Sequence, residues 1–140
     1  MSKVAVVYWS GTGNTEAMAM AVAEGAKGKG AEVSVITAAE FSPEQVDEYS
    51  AIAFGCPSMG SEQLEESEFE PMFTACEGRL SGKNIALFGS YGWGDGEWMR
   101  SWESRCNDDG ANLACESVIC NEAPDDDALA ACRELGASLA

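Results

Sequence analysis

Val4-Ala5-Val6-Val7-Tyr8-Trp9-Ser10-Gly11-Thr12-Gly13-Asn14-Thr15 is the stretch that decides the fold. The uncharged apolar run Val4 to Trp9 reads as a parallel strand buried on both faces. A hydroxyl-rich glycine turn follows, and a helix-favouring segment begins at Glu16-Ala17-Met18. Strand, glycine turn and helix together make an anion site. The first N–H groups of a helix lack intrahelical partners and sit at the positive end of its dipole. Gly11 and Gly13 let the backbone close on an anion where a Cβ would obstruct it. Ser10, Thr12 and Thr15 add hydroxyls and Asn14 an amide.

Two other glycine loops are excluded. A nucleotide P-loop ends in Gly-Lys-Ser/Thr, and no lysine occurs between Lys3 and Lys27. The dinucleotide fingerprint needs a third glycine where Glu16 stands. Neutral donors alone suit a terminal monophosphate better than a triphosphate with its metal. The same residues also suit a plain N-cap turn with Asn14 or Thr15 as cap.

At 140 residues, 46% hydrophobic, the chain is expected to fold as a single domain, 1–140, with a proper core. Eight basic against 24 acidic side chains give a net charge of −16. Such a surface repels nucleic acid and anionic membranes, disfavours self-association as a monomer would, and points to basic protein partners or to none, a solubility coat being the other reading. The six cysteines form no Cys-x-x-Cys and histidine is absent, so no spacing supports zinc or iron–sulfur ligation. Most of these cysteines fall in apolar runs, as small hydrophobes do. Without histidine the commonest general base and the Ser-His and Cys-His pairs are missing. No signal peptide or membrane-length apolar stretch is seen, so the cytoplasm is the expected location.

Further strands are expected at Glu32 to Thr37, Ala51 to Cys56, Asn84 to Ser90 and Leu113 to Asn121, the last interrupted near Glu116. Helices are expected from Glu16 to about Lys29, from Pro43, over Ser67 to Cys76, Glu97 to about Asn107 and Asp125 to Leu139. The alanines of the first suggest close packing on the sheet. Alternating strands and helices give an α/β fold, a five-stranded parallel sheet in order 2-1-3-4-5 with helices on both faces. Ligands bind such sheets beyond the carboxyl ends of the strands, where the strand order reverses.

The loops after strands one, three and four therefore gather at one edge. The second contains Pro57-Ser58-Met59-Gly60-Ser61-Glu62 and the third Ser90-Tyr91-Gly92-Trp93-Gly94. A tryptophan between two glycines has no neighbours to bury it and is suited to covering something flat. Ser10 to Thr15, Met59 to Glu62 and Ser90 to Gly94 resemble the three flavin mononucleotide (FMN) loops of a short-chain flavodoxin. The likeness runs essentially the whole chain. It implies a flavodoxin-like three-layer sandwich, non-covalent FMN and redox-protein partners with basic docking surfaces. It also implies the role of a low-potential one-electron carrier, without a substrate-converting site of its own.

Carried over by position, Ser10, Gly11, Thr12, Gly13, Asn14 and Thr15 hold the phosphate. Met59 and Trp93 cover the two ring faces within the Pro57–Glu62 and Ser90–Gly94 loops. Glu62 accepts from the flavin N3–H, and N–H groups around Gly92 and Trp93 meet the pyrimidine oxygen. Asn121 and Glu122 are placed beside the ribityl chain or ring. Ser61 stands where some relatives carry an acid.

The resemblance further implies cycling between semiquinone and anionic hydroquinone. The semiquinone carries a proton on N5 that needs an acceptor. Met59-Gly60-Ser61-Glu62 reads as a four-residue turn whose glycine allows the positive φ of a type II′ turn. A flip of the Gly60–Ser61 peptide would aim the Gly60 carbonyl at N5–H. Other functions fit less well. A receiver domain needs an Asp ending strand three, where Gly55-Cys56 stands. A flavin enzyme needs a substrate cavity or dimer interface, for which 140 residues with short loops leave little material, and no general acid–base pair is supplied. A non-flavin phospholigand protein has no use for Met59 and Trp93.

Overall fold

The computed structural model describes residues 2–59, 62–92 and 94–140. The opening apolar run forms β1 (Lys3–Tyr8), ending one residue short of Trp9. Its side chains alternate: Ala5 and Val7 enter one core, Val4, Val6 and Tyr8 the other. β2 (Glu32–Thr37), β3 (Ala51–Gly55) and β4 (Asn84–Tyr91) run parallel to it in the order β2-β1-β3-β4. Ile52, Phe54, Ile85 and Leu87 share the first core, and Ala53, Ala86 and Phe88 the second. Period-two alternation on strands apolar on both faces thus makes three layers.

α1 (Asn14–Gly28) and α5 (Asp126–Leu139) cover one face; α2 (Pro43–Val46), α3 (Phe69–Cys76) and α4 (Glu97–Asp108) contribute to the core on the other. The small residues of α1 serve a helix crossing as well as the sheet. A Cβ on Gly25 would lie 1.8 Å from the Arg133 carbonyl oxygen, and one on Gly136 1.9 Å from that of Val22. On the other face Trp102 meets Phe69 and Phe73 edge-to-face, with centroids 5.4 and 5.7 Å apart. Arg105 of α4 ties the layer together. It bonds Glu70 and Glu77 at 2.7 Å each and lies 4.9 Å from the Phe73 ring centroid. Hydrogen bonds from this guanidinium hold both carboxyls below their usual range.

Beyond one-residue shifts at several ends, three differences from expectation are larger. α1 begins at Asn14 rather than Glu16, capped by Gly13 at φ +94°, so neither Asn14 nor Thr15 is the cap. α3 begins at Phe69 rather than Ser67, because the Glu65 carboxylate accepts the N–H groups of Ser67, Glu68 and Phe69 at 2.8, 2.8 and 2.9 Å. The fifth strand position is filled by two segments, β5 (Asn112–Leu113) and β6 (Val118–Asn121), both parallel to β4. Between the pairs Ile85–Leu113 and Phe88–Val118, three steps on β4 oppose five on the other segment. The Ala114 N–H still reaches the Ile85 carbonyl, after which the Ser117 hydroxyl is drawn to Glu103 of α4 at 2.6 Å.

Candidate functional site

The carboxyl ends of β1, β3 and β4 open on a cavity of about 530 Å³. Gly11, Thr12 and Asn14 line it from the first loop, Pro57, Ser58 and Met59 from the second, and Ser90, Tyr91 and Gly92 from the third. Glu122 and Ala123, after β6, complete it together with Trp9. Cys56 N–H to the Phe88 carbonyl (3.1 Å) and Ser58 N–H to the Ser90 carbonyl (3.0 Å) hold the second loop beside the third.

The first loop is shaped by its own residues. Gly13 takes the left-handed conformation that a side chain disfavours. A Cβ on Gly11 would lie 3.0 Å from the Trp9 ring. The Ser10 hydroxyl accepts the Gly13 N–H at 3.1 Å, and the buried Thr15 hydroxyl lies 3.3 Å from that of Ser90. The first helical bond of α1 runs from the Ala17 N–H to the Gly13 carbonyl at 3.0 Å. The N–H groups before it are left for an outside acceptor.

The second loop closes by two bonds between Met59 and Gln63, at 2.8 and 2.9 Å. Glu62, inside that closure, stands at φ +54°, and the central residues of the expected four-residue turn, Gly60 and Ser61, lie outside the described residues. Glu65 fixes the far foot of the loop. Its N–H bonds the buried Cys56 sulfur at 3.3 Å, and the Cys56 carbonyl accepts the Trp98 indole N–H at 3.1 Å. Burial pushes the Glu65 carboxyl up. The Ser67 hydroxyl and the N–H groups of Phe69, Glu68 and Ser67 outweigh it and hold the carboxyl below its usual range.

Glu62 does not line the main cavity. It borders a neighbouring groove with Leu64 and Trp98, and its carboxylate accepts the Glu97 N–H at 3.1 Å. The positive end of α4 attracts it there. Gly94 sits against that carboxylate, where a Cβ would come within 2.6 Å. Asn121 is exposed, and its amide donates to the Tyr91 carbonyl at 3.3 Å. The Glu122 N–H reaches the same carbonyl at 2.7 Å, with φ +58°. Gly60, Ser61 and Trp93 lie outside the described residues.

Two wall residues were not anticipated as site residues, Trp9 and Ala123. Trp9 reads as the end of an apolar strand, although an aromatic placed just before a glycine loop is a usable signal. Ala123 carries no signal at all. Among the described lining residues there is one carboxylate, Glu122, and no lysine or arginine. Cys56, Cys76, Cys106 and Cys132 are buried, and burial raises each thiol pKa, so none offers a thiolate. No cluster suited to a metal occurs among the described residues.

The family model for flavodoxin matches residues 6–136. A flavodoxin of Megasphaera elsdenii is 46% identical over 137 residues, 98% of each chain. The chain belongs to the flavodoxin family. A second flavodoxin, from Clostridium beijerinckii, is 44% identical over 135 residues, 96% of this chain and 97% of its own. The solution structure of two-electron reduced Megasphaera elsdenii flavodoxin matches with a TM-score of 0.90 over 97% of both chains, at 46% identity. This flavodoxin is therefore an FMN-bound electron carrier that cycles between semiquinone and hydroquinone and serves redox partners. The cavity fits that group. It has polar donors at the α1 end, aromatic and thioether walls elsewhere, and a volume usual for small-molecule sites.

Proposed function

We propose that residues 10–15 hold the FMN phosphate and that the 57–62 and 90–94 loops hold the ring, in a low-potential one-electron shuttle. FMN supplies the redox chemistry, and the chain supplies binding, orientation and field. The observation that carries this reading is the convergence of the α1 N-terminus with the second and third loops on one cavity. The orphan N–H groups of α1 and the hydroxyls of the first loop meet an anion without any cation. Met59, 38% exposed at the loop tip, offers a polarisable surface to a flat ring.

A wall with one carboxylate and no cation disfavours added negative charge. One like charge at about 16 Å costs on the order of 1 kcal/mol at an effective dielectric near 20. For a one-electron couple about 1.4 kcal/mol corresponds to 59 mV. A few such charges in a chain of net charge −16 lower the potential usefully. Arg100, the cation beside the third loop, is already engaged by Asp95 and Glu97 at 2.9 and 2.8 Å. The acidic rim of Glu62, Glu66 and Asp95 steers the protein toward basic surfaces of its redox partners. The protein acts as a cytoplasmic monomer and converts no substrate of its own. Among the described residues no helix is long and apolar enough to cross a membrane.

Stepwise anaerobic reduction of the FMN-loaded protein, followed in the visible spectrum, tests the reading. Two resolved one-electron steps, the second at markedly lower potential, are expected. A single two-electron step would point to a reductase instead.

A further inference from the structure

Trp9 lies at the border of two cavities. One is the cofactor cavity; the other, of about 430 Å³, is also lined by Ser10, Gly13, Glu16 and Glu68. Its backbone extends the sheet by one bond, from its N–H to the Gly55 carbonyl at 3.0 Å. The indole N–H donates to the Glu68 carboxylate at 3.0 Å. Glu68 is itself fixed, because its N–H is held by the Glu65 carboxylate at 2.8 Å. The ring lies under Gly11, two of its carbons 3.0 and 3.2 Å from where a Cβ would stand. A chain of contacts therefore runs from Cys56 and Glu65, at the foot of the second loop, through Glu68 and the indole to the backbone of the first.

We propose that Trp9, held by Glu68, is a positioning residue that sets the shape of the 10–15 loop before the phosphate arrives. Between Ser10 and Gly13 the loop has one internal tie, the Ser10–Gly13 hydrogen bond, and a left-handed glycine at its end. A flat ring packed on the Gly11 backbone restricts the loop further, and the bond to Glu68 fixes the ring's own rotation. Such ordering in advance lowers the entropy lost on binding.

This proposal rests on the reading that residues 10–15 hold the phosphate. The test is therefore a comparison of FMN with riboflavin, which lacks that phosphate, titrated into apoprotein. Wild-type protein is expected to bind FMN far more tightly than riboflavin. Equal affinities would overturn the phosphate-loop reading itself. Trp9→Phe keeps a ring and removes the N–H, and it should weaken FMN about fivefold, as loss of one exposed charge-assisted hydrogen bond does. Riboflavin, whose site Trp9 also borders, should lose clearly less than FMN. Glu68→Ala should match Trp9→Phe, the double variant should add little, and Glu68→Gln, which keeps an acceptor and drops the charge, should retain tight binding. Equal losses for FMN and riboflavin would show a general structural role and overturn the proposal. So would undiminished FMN affinity in Trp9→Phe, or full additivity of the two substitutions.

Discussion

Replacing Gly136 with alanine sets two opposed effects against each other at the crossing of α1 and α5. Alanine favours a helix interior over glycine by about 1 kcal/mol, so propensity alone makes Gly136→Ala stabilising. The crossing reverses the sign. The new Cβ would stand 1.9 Å from the Val22 carbonyl oxygen, 2.8 Å from its carbon and 3.0 Å from the Ala26 nitrogen. All three are backbone atoms, and no rotamer relieves the clash. Reaching even 3.0 Å from that oxygen requires the helices to part by 1.1 Å (3.0 − 1.9). A gap of that size forfeits a quarter to a half of each dispersion contact across the interface. Overpacking of this kind costs about 1–3 kcal/mol. We take the upper end because backbone opposes backbone, which leaves a net loss of about 2 kcal/mol. In a chain of this length that lowers the melting temperature by about 7 °C. Circular dichroism of the apoprotein is the assay, since bound cofactor would mask part of the loss by mass action. Gly25→Ala should behave alike, and the double variant should lose less than the sum, because the first substitution has already parted the helices. A melting temperature at or above wild type for Gly136→Ala would refute the reasoning and show that propensity outweighs contact there.

Asp109 caps the C-terminal end of α4, and burial together with the neighbouring Glu77 carboxylate raises its carboxyl to about 6. Burial and a like charge both favour the neutral acid, so the native state is relatively favoured below the unfolded value near 4 and loses that advantage as pH rises through about 6. Asp109→Asn should therefore be more stable than wild type by about 1 kcal/mol at pH 7.5, after allowance for solvent, and lose that advantage at pH 5. Urea unfolding at the two pH values decides, and an advantage independent of pH would refute it. If Gly60 takes the expected positive φ in the semiquinone alone, Gly60→Ala should destabilise that state by about 1–2 kcal/mol, lowering the first potential and raising the second, and so narrow their separation by about 80–170 mV. An unchanged separation would remove any role for that peptide.

Most of the sheet was legible because its strands are apolar on both faces and bounded by turn residues. The glycine turn between β1 and α1 was legible because glycines and hydroxyls between an apolar run and a helix-favouring segment have few other uses. What was not legible depends on partners distant in sequence. Gly25 reads as an ordinary weak point in a helix until Arg133 lies against it. Glu65 reads as one of several surface acids, yet it is buried under three backbone N–H groups and delays the start of α3. Glu62 was assigned to the cofactor, and the structure shows its carboxylate on the Glu97 N–H at the mouth of α4, a competition that local pattern does not reveal. The break between β5 and β6 lies near the expected position, but its cause, the pull of Glu103 on Ser117, comes from another layer.

The anchoring of the second loop bears on the speed of electron exchange. The segment leaves the sheet at Cys56 and comes back beside that residue at Glu65, whose N–H bonds the Cys56 sulfur. Both feet are thus held to the same point, and the entropy of closing the excursion is already spent in the folded state. A segment pinned at its feet can change shape without altering the chain's path through the core. Rearrangements confined in this way belong to the nanosecond-to-microsecond motions of loops rather than the slower motions of whole layers. Arrival or departure of an electron can then be answered locally, within the lifetime of a brief encounter between carrier and partner.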